Sequence, residues 1–488
     1  MVFSVSIPWM KNWMDKYWRG PGGCAEVLNL SIPLIISIGS QSVLMFTDRM
    51  FLSWYSTDAM AAAMQAGITS FGIASLFYGT VSYVNTFVAQ YTGSAQNNKT
   101  GPAVWQGIYI AIVAGVLLLF LIPMAGQLFL WMGHSPDVRG YEIIYFQIMC
   151  VNALPMLIAA ALGGFFTGRG DTRTVMWVNL AGVGINIVLD YILIFGKLGL
   201  PRLGVAGAAW ATFASSVVIV AVYFYIFTRK PHRDSFATIK GWKFDPEIVR
   251  RLLRYGLPNG MQFMLDICAF AAFIMFVGRI SSTALAATSV AFGINTLAFM
   301  PMLGIGVAVT TLVGQSLGRN EPSAAAKSTW SGFYITYAYM ASIAAGYWFF
   351  PKVFLYPFSI GAGASDYAAI EPVAIKLLAF VAFYCLFDSG NIIFSAALKG
   401  AGDTRFVMYI TIILGWLFMV LPTWLLVKAG YGVYWVWSFA TAYVCILAVV
   451  FLLRFLAGKW KNMRVIEIPP PKMPVGMPAV PSASAETG

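Results

Sequence analysis

The sequence predicts an all-α polytopic membrane protein with twelve transmembrane helices in two six-helix lobes related as a parallel repeat. Three observations carry this. Apolar residues make up 59% of the 488-residue chain and charged residues 10%, against about 25% charged in soluble domains. The apolar runs are continuous rather than alternating, which excludes membrane-barrel strands and leaves helices, which satisfy their own backbone in lipid. Short motifs also recur between the two halves of the chain at nearly constant offset.

A hydrocarbon core about 30 Å thick takes roughly 20 apolar residues per helix. Runs of that order lie at 29–53, 59–92, 104–130, 141–167, 174–196, 203–228, 248–278, 284–316, 326–350, 367–398, 405–428 and 433–456. The first six make an N-lobe (29–228) and the last six a C-lobe (248–456), joined by a basic linker (229–247). Residues 1–28 read as an interfacial N-terminus, because Trp9, Trp13 and Trp18 alternate with Lys11, Lys16 and Arg19 as in a helix lying on a membrane. The start lacks the cationic region and small-residue cleavage site of a removed signal. Residues 457–488, which include PPPKMPVGMPAVPSASAETG, read as a disordered tail.

An even number of spans puts both ends of the chain on one side. That side carries 23 of the 31 Lys and Arg residues and the other side 8. The expectation is a multi-pass inner-membrane protein with both termini cytoplasmic. Basic loops facing anionic lipid account for the net charge of +12, so no nucleic-acid partner is expected. Cys150, Cys268, Cys385 and Cys445 fall inside helices and Cys24 stands alone, which gives neither a disulfide framework nor a metal spacing. His134 and His232 both fall in loops. The helices therefore lack the nucleophile with a base, or the metal ligands, that a membrane-embedded enzyme needs, and no enzymatic activity and no cofactor are expected.

The repeat is legible in three places. Val88-Ala89-Gln90-Tyr91-Thr92-Gly93 recurs as Val313-Gly314-Gln315-Ser316-Leu317-Gly318, and Pro33 recurs as Pro258, both 225 residues apart. Gly168-Arg169-Gly170-Asp171-Thr172-Arg173 recurs as Gly400-Ala401-Gly402-Asp403-Thr404-Arg405, 232 apart. Six spans per half is even, so both copies enter from the same side and the substrate cavity is expected between the lobes. The GxGDTR segments lack the GxxxxGK[ST] of a phosphate loop and follow no strand. They read as tight turns, with Gly supplying positive φ and Asp or Thr capping the next helix.

Fifteen of the 19 acidic residues fall in loops, tails or helix ends; Asp48, Asp190, Asp266 and Asp388 lie inside helices. An ionisable group at membrane depth costs at least about 2.5 to 3.5 kcal/mol, which makes each of these a functional candidate. No basic residue is expected at the same depth, so the interior favours cations. Counted along their helices, Asp266 and Asp388 share a level roughly 17 Å from the inner boundary, and Asp48 and Asp190 one at roughly 25 to 30 Å. Four-residue spacing puts Tyr384 beside Asp388 and Asn186 beside Asp190. Met261, Phe263, Met264 and Phe270 near Asp266 are the residue types of a pliable cavity for flat cations.

The Pro33–Asp48 segment, the V-A-Q-x-x-G and G-x-G-D-T-R motifs, the Asn186–Asp190 run and Gly256-Leu257-Pro258 resemble the multidrug and toxic compound extrusion (MATE) family, in its NorM- and DinF-like members, over residues 27–456. The resemblance implies a V-shaped six-plus-six fold, alternating access, and antiport of drugs or metabolites against sodium ions or protons. It also implies two cation sites, Asp266, Tyr384 and Asp388 in the C-lobe and Asp48, Asn186, Asp190 and Thr212 in the N-lobe. The chain departs at Asp266, where the NorM-like branch usually has Glu. Expected partners are small organic cations, Na+ or H+ as the transported coupling ion, and the lipid bilayer, with the protein a monomer. A flippase of lipid-linked precursors stays open as an alternative, although an anionic cargo calls for deep Arg or Lys. The choice between sodium and proton stays open as well.

Overall fold

The computed structural model describes residues 18–133, 135–359 and 364–467. The expected interfacial helix between residues 8 and 20 falls almost wholly outside them. Twelve long helices organise the chain: α1 Cys24–Tyr55, α2 Thr57–Gly93, α3 Thr100–Leu119, α4 Pro136–Gly168, α5 Thr172–Phe195, α6 Val205–Thr228, α7 Pro246–Gly278, α8 Ser282–Gly318, α9 Pro322–Phe349, α10 Ala364–Ala401, α11 Thr404–Lys428 and α12 Val433–Leu456. No strand occurs among the described residues.

Local chemistry sets the boundaries. The hydroxyls of Ser56 and Ser281 accept the amides of Ala59 and Ala284 and so start α2 and α8. Asp171 accepts the amide of Thr174 at 3.3 Å and its hydroxyl at 2.8 Å, starting α5. Gly170 and Gly402 hold φ of +85° and +105°, so both GxGDTR segments are tight turns that a side chain would strain. Pro246 and Pro322 stand at the first turns of α7 and α9, where a missing N–H costs nothing. Eleven of the helices are long and apolar enough to cross a membrane by composition, and α9 alone is not. Its 28 residues are nevertheless long enough. Ser328 and Thr329 on its buried face return their hydroxyls to the carbonyls of Ala324 and Ala325, which makes a polar composition tolerable between helices.

The helices α1 to α6 and α7 to α12 form the two lobes, which meet through α1 and α2 against α7 and α8. Backbones touch there. A Cβ on Gly93 would lie 2.0 Å from the Gln315 carbonyl oxygen, and one on Gly318 would lie 2.2 Å from that of Gln90. The same glutamines reach across to the turns: Gln90 Nε2 donates to the Gly400 carbonyl at 3.0 Å and Gln315 Nε2 to that of Gly168 at 2.8 Å. The two repeated motifs therefore interlock reciprocally, each lobe's glutamine on the other lobe's turn. All four elements lie at the end of the molecule that also carries the first described residues, the linker and the end of α12. Further along the lobes Phe71 meets Phe263 edge-on at 6.0 Å, while nearer the far end Met45, Phe46, Ile68 and Phe270 are exposed. The lobe contact is thus concentrated at the terminus-bearing half.

One expectation shifts. The chain beyond α12 does not become unstructured at residue 457: Trp460, Val465 and Ile466 are buried, and the segment lies across both lobes. The rest of the expected tail, from residue 468, lies outside the described residues.

Candidate functional site

In the N-lobe, α1, α5 and α6 bring the four sequence candidates together. The carboxyls of Asp48 and Asp190 lie close enough to act on each other, and two bare negative charges so placed repel. Asp190 and Asn186 are both fully buried, one turn apart on α5. With its amide oriented to satisfy both ends, Asn186 donates to Asp190 Oδ2 at 2.7 Å and accepts from the Thr212 backbone amide at 3.1 Å and the Ser215 hydroxyl at 3.3 Å. Thr212 thus contributes through its main chain, since its own hydroxyl donates to the Ala208 carbonyl at 3.1 Å. Ser215 completes the group, and Tyr145 of α4 lies near both carboxyls. Neither was marked by the sequence, because each comes from a helix other than its partner's and carries an uncharged side chain common in any span.

The C-lobe group is looser. Asp266 on α7 accepts from Tyr443 of α12 at 3.3 Å and from Gln262, one turn back, at 3.4 Å. Asp388 on α10 accepts from Asn391 at 2.9 Å. The two aspartates act on each other through charge without touching. Tyr384 shares a face with Asp388, as its spacing implies, and its hydroxyl accepts from the Asn295 amide of α8 at 3.1 Å, whose oxygen in turn accepts from the Cys385 thiol at 3.3 Å. The four-residue spacing fixes which face a side chain occupies and leaves open which neighbouring helix captures it.

A basic residue at the lobe-closing end lies within electrostatic reach of this group. Lys399, counted along α10 as a boundary residue, acts on Asp266 through charge. A long ammonium side chain reaches several ångströms from its own Cα. Even so, two carboxylates face one ammonium, and the C-lobe group stays acid-dominated. No cluster of three or more metal-ligating side chains occurs among the described residues. In both lobes the donors are carboxyl, amide and hydroxyl oxygens, which suit a proton or a hard monovalent cation more than a soft metal.

A family model for MatE matches residues 33–192 and 258–425, one segment in each lobe. The probable multidrug resistance protein NorM of Bradyrhizobium diazoefficiens is 28% identical over 437 residues, 88% of this chain and 92% of that protein. The probable NorM of Thermotoga maritima is 26% identical over 468 residues, 93% of this chain and 97% of its own. Among solved structures, a multidrug resistance MATE family transporter of the MOP superfamily in an outward-facing conformation superposes with a TM-score of 0.82 at 22% identity, over 91% of this chain and 98% of that one. A MOP superfamily transporter from Pyrococcus furiosus superposes equally well, with a TM-score of 0.82 at 22% identity over 91% and 98% of the two chains.

Proposed function

The chain belongs to the MatE family, and from that membership and its buried carboxyls we propose a cation-coupled antiporter that exports small organic cations or metabolites across the inner membrane. The relatives' names as multidrug resistance proteins support the cargo class. The observation that carries the reading is the juxtaposed Asp48–Asp190 pair inside the N-lobe helices, with Asp190 fully buried and Asn186 at its side. Two carboxyls sharing one proton form a site that gains or loses a single positive charge, by proton or by Na+, without leaving two bare charges in lipid. Asp388 and Asp266 give the C-lobe a second acidic group facing Tyr443 and Lys399. A substrate cation entering between the lobes competes for the same negative charge as the coupling ion. That competition is a physical basis for antiport, since ligands shift a two-state protein only through unequal affinity.

The transporter works as a monomer with both termini in the cytoplasm, so the interlocked face is the inner gate and the state described is closed to the cytoplasm. Counterflow of a fluorescent organic cation from proteoliposomes, with Na+ or pH gradients imposed separately, tests the reading. Uptake driven by one gradient and abolished by its collapse is the expected result. Transport indifferent to both would overturn it.

A further inference from the structure

After α12 the chain turns at Gly458, with φ of +72°, and anchors itself on its own lobe. The Trp460 ring stacks on Phe455 with centroids 4.9 Å apart and planes 10° off parallel, and its Nε1 donates to the Phe455 carbonyl at 2.8 Å. Tyr255 of α7 donates to the Arg464 carbonyl at 3.5 Å, and the Arg464 guanidinium donates to Asn320 at 3.1 Å. The segment then crosses to the N-lobe. The buried Val465 amide donates to Gln90 Oε1 at 2.9 Å, so the gate glutamine holds the Gly400 turn with one end of its amide and this segment with the other. The Glu467 carboxylate accepts from Tyr91 at 3.1 Å and pairs with Lys99 at 3.4 Å, both N-lobe residues, while Arg251 of α7 holds it at 2.6 Å.

The N-lobe does not answer in kind. The equivalent stretch after α6, Lys230–Phe236, packs back on its own lobe: the Arg169 guanidinium lies 3.9 Å from the Phe236 ring centroid, and Trp105 donates to the Thr238 carbonyl at 2.6 Å. A strap thus follows α12 and not α6, while the chain before α1 crosses the other way, where Lys327 and Ser331 of α9 donate to the Arg19 and Gly22 carbonyls at 2.9 and 2.8 Å.

We infer that residues 460–467 are a latch, a strap rooted in the C-lobe that holds the inner gate shut by binding Gln90, Tyr91 and Lys99 of the N-lobe. Opening toward the cytoplasm has to part Gln90 from Gly400. With Trp460 anchored, that movement also breaks the Val465–Gln90 and Glu467–Lys99 links. The strap is built to release. The Lys99 and Glu467 side chains are 40% and 33% exposed, and pairs so placed are individually weak. The latch therefore tunes the gate equilibrium without freezing it.

The latch rests on the alternating-access reading of the two lobes, and its test reads conformation without transport, so the two can fail separately. Amide hydrogen exchange is measured on the full chain in lipid nanodiscs for the wild type, Glu467→Gln and Val465→Pro, the last removing the amide that Gln90 accepts. Peptides covering 84–93 and 310–318 should exchange roughly threefold to tenfold faster in each variant, with residues 57–66 at the far end of α2 unchanged. Wild-type exchange at the gate in both single variants would overturn the latch. So would uniform acceleration through all helices, which marks general destabilisation.

Discussion

At the residue scale the four intramembrane aspartates make separable claims. Asp190→Asn removes one carboxyl of the Asp48–Asp190 pair while keeping size and a partner for Asn186, so folding should survive and coupled efflux fall by roughly tenfold or more, the reading of about 1.4 kcal/mol of lost coupling. Initial efflux rates from proteoliposomes at matched expression check this, and unchanged rates with unchanged ion dependence would make the pair structural. Asp388→Asn should lower coupled efflux in the same assay while leaving substrate binding measurable, because Asn391 keeps a partner. Outside the membrane, Glu467 has a pH signature. Burial opposes its charge, but its own backbone amide, Arg251, Lys99 and Tyr91 outweigh that and hold its carboxyl below the usual carboxylate range, with Asp245 and Glu247 the nearby acids. A depressed folded value means that the stabilisation is complete at neutral pH and is lost as pH falls through that value. Gate protection, taken relative to the intrinsic amide exchange rate at each pH, should therefore be flat from about pH 8 to 6 and fall only below the ordinary Glu value near about 4.3. The deep acids were legible because a lone carboxyl in an apolar run stands out in one dimension. Tyr443, Ser215 and Lys399 were not, since their relevance is a contact between helices far apart in sequence.

At the scale of elements, the repeated motifs could be found by offset but not explained by it. Gly93 and Gly318 recur because each presses on the other copy's glutamine carbonyl, and Gln90 and Gln315 because each grips the other lobe's turn. Gly93→Ala puts a methyl 2.0 Å from backbone, where no flexible side chain can yield. Overpacking of this kind costs about 1 to 3 kcal/mol. Here that cost falls on the closed gate and not on either lobe, so the lobes should move apart while the fold persists. Far-ultraviolet dichroism should be unchanged, and a spin-label pair on the inner ends of α2 and α8 should show a longer distance population. An unchanged distance distribution would mean that the close approach is incidental. The run at 326–350 is a helix of spanning length although its composition falls short of a span's, whereas composition misled at the start of the tail. Trp460 and Val465 are buried by a surface that both lobes build together, which no local window contains.

For the whole molecule, the closed inner face and the acidic groups deeper in each lobe form one device only if the lobes move as bodies about their contact. The strongest consequence is that fastening the terminus-bearing ends must stop turnover without touching either acidic group. Asn85 of α2 and Thr311 of α8 offer the place: their side chains meet at 3.3 Å across the lobe boundary, away from Asp48, Asp190, Asp266 and Asp388. Cysteines at both positions, bridged by a short bis-thiosulfonate reagent, should abolish counterflow. Binding of the organic cation from the far side should persist, because the outward half of the lobes is left free. Reduction of the bridge should restore transport, which separates a mechanical block from damage. The free cysteines Cys24, Cys150, Cys268, Cys385 and Cys445 occur in both the single and double variants, so reagent effects common to all three proteins cancel. Full counterflow through a quantitatively bridged protein would mean that the lobes need not part at this face, and alternating access by lobe separation would be wrong for this chain.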